Sequence, residues 1–135
     1  MDQRTLIVSC VEYYSYLKNI PSNLVFQSFE RTDLMPLLLD TRRQFPDMDL
    51  QFYMGMIDGI TSIANDAKED DYSHYEERTA LALEVVSLLQ KAHKMDDIEA
   101  CRMYYQSKTA GTVSEEKTGW YQKTPQEIFA LVEAE

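Results

Sequence analysis

Apolar residues recur at intervals of three and four along most of this chain, which is the spacing of one face of an α-helix. The first such stripe lies between Asp2 and Asn19 and consists of Leu6, Ile7, Cys10, Val11, Tyr14 and Leu17. With only 4 Gly and 4 Pro in 135 residues, the chain has too few turn residues for a β-sandwich or barrel. We therefore predict an all-α protein, a compact bundle of about six or seven helices.

Proline and capping residues divide the first half into separate helices. Pro21 ends the first helix because it disfavours a helical conformation at Ile20. Ser22 is then expected to cap the second helix, and Thr32 or Asp33 to begin the third. Pro36, in the first turn of that third helix, is compatible with it.

The fourth predicted helix is the most apolar, and we expect it to be the central element of the domain. It follows Pro46 and Asp47. Its apolar residues cover more than one face and are Leu50, Phe52, Tyr53, Met54, Met56, Ile57, Ile60 and Ile63.

The second half contains a repeated helix-start signature, a hydroxyl or carboxylate residue followed three positions later by glutamate. It occurs at Ser73–Glu76, Asp96–Glu99 and Thr124–Glu127, and the last also has proline at the first helical position. The helix opened by the first signature should end near His93, where the dipole favours a cation.

The chain between the last two of these helices is predicted to be a loop. Gly111 and Gly119 bracket it, and Ser114-Glu115-Glu116 should form a short turn inside it. Before it, Ser107-Lys108-Thr109 is expected to close a helix, with Lys108 meeting the exposed carbonyl groups.

The apolar pattern of the first half resembles that of the second. Sliding the sequence along itself places Leu6 on Leu81 and Val11 on Val86. Any two amphipathic helix pairs can be aligned in this way, so duplication and coincidence both stay open. We predict one all-helical domain of residues 1–135, with possible sub-halves 1–64 and 73–135 joined by an acidic linker, 65–72.

The net charge of −10 disfavours contact with nucleic acid or an anionic membrane and suits a basic protein partner, although it also serves solubility. Cys10 and Cys101 fall inside apolar helical patterns and are predicted to be free, buried thiols in a reducing cytoplasm. The opening Met1–Arg4 does not resemble a signal peptide, and no apolar run has the length of a membrane span. The expected location is cytoplasmic.

Residue patterns typical of catalysis are missing. His74 and His93 have no Cys, Asp or Glu at the spacing of a known metal site. Adjacent carboxylates are predicted to be solvated faces or helix caps, in Glu69-Asp70-Asp71, Glu76-Glu77, Asp96-Asp97 and Glu115-Glu116. We predict that the protein is not an enzyme and has no catalytic residue, no cofactor and no metal.

Aromatic residues are in excess, with 9 Tyr in the chain. Tyr and Trp are favoured at protein interfaces because they bury a large area at low entropic cost. Trp120 and Tyr121 could equally attach the last loop to the body of the protein. The predicted partner-binding residues are Tyr13, Tyr16, Tyr105, Lys108, Trp120 and Tyr121.

The stretch from Glu84 to Glu135 resembles a family of short uncharacterised bacterial helical proteins, which are domains of unknown function. The shared pattern is a tyrosine-Ser-Lys-Thr segment, an acidic turn, an aromatic pair, a Ser/Thr-Pro helix start and an acidic tail. In this chain these are Tyr105–Thr109, Ser114–Gly119, Trp120-Tyr121, Thr124-Pro125 and Glu133–Glu135.

The stretch from Leu6 to Ile63 is similar to a second such family. The agreement lies in the Cys10–Tyr14 run, the Phe26–Phe29 helix and the Met56–Ile60 segment. That family has Leu-His-Thr where this chain has Met48-Asp49-Leu50, so any role of the histidine is not carried over.

Members of both families are often encoded beside proteins that resemble ADP-ribosyltransferase toxins. The resemblance therefore implies an antitoxin or an accessory partner of a toxin-like enzyme, acting as a protein-binding module. The alternative is a self-associating structural protein in which helices bearing tyrosines form a homodimer.

Overall fold

The computed structural model describes residues 1–61 and 71–135, and its regular structure in these residues is entirely helical. The described ranges contain eight α-helices, which confirms the predicted all-α class and slightly exceeds the predicted number. They are α1 (Gln3–Lys18), α2 (Ser22–Arg31), α3 (Leu34–Gln44), α4 (Leu50–Ile60), α5 (Tyr75–His93), α6 (Asp97–Tyr105), α7 (Lys108–Ser114) and α8 (Pro125–Glu133). Two short 3₁₀ helices, Glu116–Thr118 and Trp120–Gln122, separate α7 from α8.

The centre of the bundle is α1, which packs against α2, α3, α4, α5 and α6. Its most extensive contact is with α5, and α5 also packs against α6 and α8. Because neighbours surround α1, every residue from Leu6 to Glu12 is buried, not only the residues of one stripe. Among the described helices, α1 and α5 are the two longest, at 16 and 19 residues, so together they bring the largest apolar area to the core.

The prediction that the fourth helix is central is wrong. α4 packs mainly against α1 and α3 and buries Tyr53, Met54 and Ile57. Phe52 and Ile60, on its other faces, remain 38% and 37% exposed. The helix ends at Ile60, and the predicted continuation to Ile63 lies outside the described residues.

Side chains cap the starts of five helices. The capping residues are Asp2, Asp49, Asp96, Ser107 and Thr124, each accepting a hydrogen bond from a backbone N–H three residues later. The capping box predicted at Thr124–Glu127 and the cap at Asp96 are therefore confirmed.

Two other predicted caps are replaced by longer-range contacts. Ser22 is the first residue of α2, and its hydroxyl donates to Glu12 instead of capping the helix. At Ser73–Glu76 no capping box forms, because the N–H of Ser73 is bound by Asp71 and the helix begins one residue later, after His74. The N–H of His74 is bound by the carboxylate of Glu116, which is distant in the sequence.

The other predicted helix boundaries also shift. Asp33 precedes α3, as expected, but adopts a left-handed conformation and gives no side-chain cap. Asp49, rather than Pro46 or Asp47, caps α4. The predicted loop at Gly111 is helical, because Ser107 starts α7 instead of closing α6.

The two predicted halves pack directly against each other through α1 and α5, and the aligned residues Leu6 and Leu81 both lie in the core. Most of the predicted linker 65–72 lies outside the described residues. Its last two residues differ in burial, since Asp71 is exposed, whereas Tyr72 is only 3% exposed. Whether the halves arose by duplication stays a prediction.

The capping box of α8 should contribute measurably to stability. We expect Thr124→Ala to lower the free energy of unfolding by about 1 kcal/mol, because the N–H of Glu127 loses its acceptor. Urea unfolding followed by circular dichroism measures this. Gln126→Ala, at an exposed position of the same turn, is the control and should change stability by less than about 0.5 kcal/mol.

Buried thiols predict a loss of stability at alkaline pH. Burial raises the pKa of both Cys10 and Cys101 to about 12. The folded chain therefore keeps these thiols protonated, while the unfolded chain ionises them near the ordinary thiol pKa of 9.0. Their stabilising contribution is complete below that value and is lost as pH rises towards about 12.

We expect urea unfolding at about pH 10.5 to require up to about 2 kcal/mol less per thiol than at about pH 8. Cys10→Ala should weaken this pH dependence even though it lowers stability at neutral pH. An unchanged unfolding free energy across that range would contradict the buried, protonated state of the thiols.

Candidate functional site

An arginine at the first turns of α5 holds together two buried glutamates. The side chain of Arg78 is 1% exposed, and those of Glu12 and Glu116 are 3% and 4% exposed. Its Nε donates to Glu12 Oε1 at 3.0 Å, and its Nη1 donates to Glu116 Oε1 at 2.7 Å. Nη1 also donates to the carbonyl of Tyr72 at 3.0 Å. One guanidinium thus connects α1, the start of α5 and the segment after α7.

The Glu12 carboxylate is further stabilised by two hydroxyl groups. Ser22 Oγ donates to Glu12 Oε1 at 2.6 Å, and Tyr105 Oη donates to Glu12 Oε2 at 2.7 Å. Burial and the negative charge of Glu12 raise the pKa of Tyr105 well above its ordinary value, so this phenol remains a donor. A buried ion pair is tolerated only when such additional hydrogen bonds satisfy it.

At the edge of this network, Glu116 meets His74. Glu116 Oε1 accepts the His74 backbone N–H at 2.5 Å, and Glu116 Oε2 lies 3.3 Å from His74 Nδ1. The Tyr121 ring stacks on the imidazole with centroids 4.7 Å apart. A carboxylate oxygen of Asp71 completes a group whose potential ligand atoms lie within 4.8 Å of one another.

The surface beside the start of α5 carries three tyrosine rings, Tyr13, Tyr16 and Tyr75, which we call the tyrosine face. The Tyr75 ring lies 5.2 Å from that of Tyr13 and 4.7 Å from that of Tyr16, centroid to centroid. Tyr16 is 39% exposed, and the other two rings are half-buried. Burial, followed by the nearby Glu76 carboxylate, raises the pKa of Tyr75.

A groove of about 290 Å³ adjoins the tyrosine face. It runs between α1, the start of α4 and the start of α5. Its lining consists of Ser9, Tyr13, Leu50, Tyr75, Glu76 and Thr79. Gln51 at its edge donates to the hydroxyl of Tyr13 at 2.8 Å and so fixes that ring. The groove therefore presents aromatic faces next to an exposed carboxylate.

The predicted partner-binding residues are divided among different environments. Tyr13 and Tyr16 lie together on the tyrosine face. Tyr105, also predicted to bind a partner, is only 1% exposed and donates to Glu12, so it does not lie on the surface of the protein. The side chain of Lys108 is exposed at the start of α7, where its backbone N–H donates to Glu135 at 2.8 Å.

The Trp120-Tyr121 pair lies in the second 3₁₀ helix and is half-buried against the core. Tyr121 stacks on His74, and Lys123 lies over the Trp120 ring at 5.5 Å. These contacts attach the last loop to the body of the protein. They fit the alternative reading of this pair better than an interface role.

Sequence reasoning missed Arg78 and the buried state of Glu116. Arg78 continues the buried stripe of α5, whose members are Arg78, Leu81, Ala82, Val85, Val86 and Leu89. A charged residue on such a stripe requires a buried counter-charge. The position of Arg78 on the stripe was therefore the signal that could have predicted the network. The expected solvated state of Glu115-Glu116 holds for Glu115 alone. His74, expected to lack an acidic partner, has one that is distant in the sequence.

No family model matches the chain, and neither the curated proteins nor the solved structures contain a match to it. None of the helices in residues 1–61 and 71–135 has the length and apolar character needed to cross a membrane.

Removing Arg78 should be far more damaging than removing an exposed arginine. We expect Arg78→Ala to lower the free energy of unfolding by about 3–5 kcal/mol, because two buried carboxylates lose their counter-charge. Arg43→Ala is the matched control: Arg43 also pairs with an aspartate, Asp40, but its side chain is 75% exposed. That control should cost less than about 1 kcal/mol, and equal losses in the two variants would refute a structural role for the network.

Proposed function

We propose that this protein is a non-enzymatic binding module that docks a basic protein through the tyrosine face. The observation that carries the proposal is the stacking of Tyr13, Tyr16 and Tyr75 at the surface beside the Glu76 carboxylate. Aromatic rings of this kind supply a large contact area, and they lose little conformational freedom on binding because they are already packed together.

The chemistry of the tyrosine face favours a cationic side chain as its ligand. A lysine or arginine placed over a tyrosine ring is attracted by the negative face of the ring. Glu76, which lines the adjoining groove, offers such a cation a counter-charge. Burial raises the pKa of Tyr75 above its ordinary value, so this hydroxyl is protonated at neutral pH and adds no negative charge.

The net charge of −10 acts over a longer range than these contacts. A negative field accelerates the approach of a basic protein and opposes the approach of nucleic acid or an anionic membrane. We accordingly propose neither nucleic acid nor a membrane as a partner. The proposed location is the cytoplasm, consistent with two free buried cysteines.

The biological role that we propose is that of an antitoxin or an accessory partner of a toxin-like enzyme. It rests on the family resemblance of Glu84–Glu135 and of Leu6–Ile63, together with the binding surface described above. The proposed partner is the product of the gene beside the one that encodes this chain.

Self-association is the second candidate function. Leu17, which follows Tyr16 in α1, is 38% exposed, so the end of this helix carries apolar area that a second copy could cover. The repulsion between two chains of charge −10 opposes this assembly. Light scattering separates the two candidates, because a monomer at all concentrations excludes the homodimer.

Co-expression with the neighbouring gene product, followed by a pull-down, tests the proposal. We expect a complex whose association slows as salt is added. Tyr16→Ala should weaken the complex at least about tenfold, because it removes the most exposed ring of the tyrosine face. Glu76→Gln should reduce the salt dependence.

Leu24→Ala is the control. Leu24 is a large apolar residue on α2 that is 48% exposed and does not line the groove, so its loss should leave the affinity unchanged. Absence of a complex at low salt would reject the proposed partner. Equal weakening by Leu24→Ala and Tyr16→Ala would reject the tyrosine face as the docking surface.

A further inference from the structure

The two oxygens of the buried Glu116 carboxylate are in different situations. Oε1 accepts hydrogen bonds from the His74 backbone N–H at 2.5 Å and from Arg78 Nη1 at 2.7 Å. Oε2 is equally inaccessible to solvent and accepts no hydrogen bond from the residues that the structure describes. A buried carboxylate oxygen without a donor is costly, so it points to a group that occupies this position.

His74 Nδ1 lies 3.3 Å from Glu116 Oε2, and within 1–61 and 71–135 it also has no hydrogen-bond partner. Two ligand atoms bound tetrahedrally at about 2.0–2.2 Å from one zinc ion are separated by about 3.3–3.5 Å. The observed separation therefore suits a shared metal ion. Tyr121, stacked at 24° on the imidazole, holds the ring in this orientation.

Asp71 supplies a third ligand at the solvent side of the pair. One of its carboxylate oxygens lies within 4.8 Å of the Glu116 and His74 ligand atoms. The residue is exposed, so it closes the site on the side of the solvent. Its position is set by a hydrogen bond from the Ser73 backbone N–H to Asp71 Oδ1 at 2.8 Å.

The net negative charge of the side chains around Glu116 also favours a bound cation. Among the described residues, the Arg78 guanidinium pairs with two buried carboxylates, those of Glu12 and Glu116, and Asp71 adds a third carboxylate beside Glu116. With a neutral imidazole, the group carries an excess of two negative charges. A divalent cation neutralises that excess, and metal ligation requires the neutral imidazole.

We propose that Asp71, His74 and Glu116 bind one divalent cation of the zinc type, with water in the fourth position. The mixed nitrogen and oxygen ligands favour zinc over magnesium or calcium, which prefer oxygen alone. Each carboxylate binds through one oxygen, and Glu116 uses Oε2 because Oε1 is engaged by Arg78 and by the His74 backbone. The ion links the start of α5 to the 3₁₀ helix that begins at Glu116.

Titration of the chelator-treated full-length protein with zinc chloride tests the site by calorimetry. We expect one equivalent to bind, with a rise in melting temperature of roughly 5–10 °C when free zinc is about a hundred times the Kd. Cobalt(II) in place of zinc should give the intense visible absorption of a tetrahedral ion. His74→Gln and Asp71→Asn should each weaken zinc binding at least about tenfold, and each should retain the helical circular dichroism spectrum.

His93→Gln is the matched control. His93 Nε2 lies 2.5 Å from Glu133 Oε1, so it is also a histidine beside a glutamate, but that pair belongs to no group of three potential ligands among the described residues. Its zinc affinity should equal that of the unaltered chain. Absence of a saturating equivalent would overturn the proposal and leave His74 and Glu116 as a simple ion pair. Binding that survives in His74→Gln, or that His93→Gln lowers equally, would overturn it as well.

Discussion

The arrangement of the helices in this protein depends on the buried ion pairs of the Arg78 guanidinium. Glu12 comes from the central helix α1, and Glu116 comes from the turn after α7. Arg78 can satisfy both only when α5 lies beside α1 and the last third of the chain folds back over them. A hydrophobic contact tolerates small sliding movements, but these charged groups do not, because a displaced ion would be buried without a partner. The network therefore fixes the register of the two halves.

The start of α5 serves several surfaces at once because successive helical residues point in different directions. His74 meets Glu116, while Tyr75 stacks with the tyrosines of α1. Glu76 lines the groove, and Arg78 enters the core. Proposed partner binding and proposed cation binding thus lie on one rigid turn. An ion that fixed His74 would also fix the backbone that carries Tyr75.

The sequence predicts some local features correctly, such as the caps at Asp96 and Thr124, but it does not reveal contacts between distant residues. The capping box at Thr124–Glu127 involves neighbouring residues only, so the pattern determines the structure. The start of α5 could not be predicted in this way, because a carboxylate from another part of the chain binds the N–H of His74. Periodicity likewise identified α4 as a helix but overestimated its burial, since helical apolarity does not say how many neighbours a helix has.

The candidate surface was foreseen only in part, for the same reason. Tyr13 and Tyr16 were predicted from their exposure off the apolar stripe of α1, but Tyr75 joins them only through tertiary packing. Tyr105 belonged to the same aromatic excess and proved to be buried.

The extensive packing of α1 on α5 has a further consequence during synthesis. At about 5–20 residues per second, Tyr75 follows Lys18 from the ribosome by roughly 3–11 s. Throughout that delay the nascent chain contains α1 without α5, the long helix that covers it in the folded protein. The chain is therefore most vulnerable to misassembly in this interval.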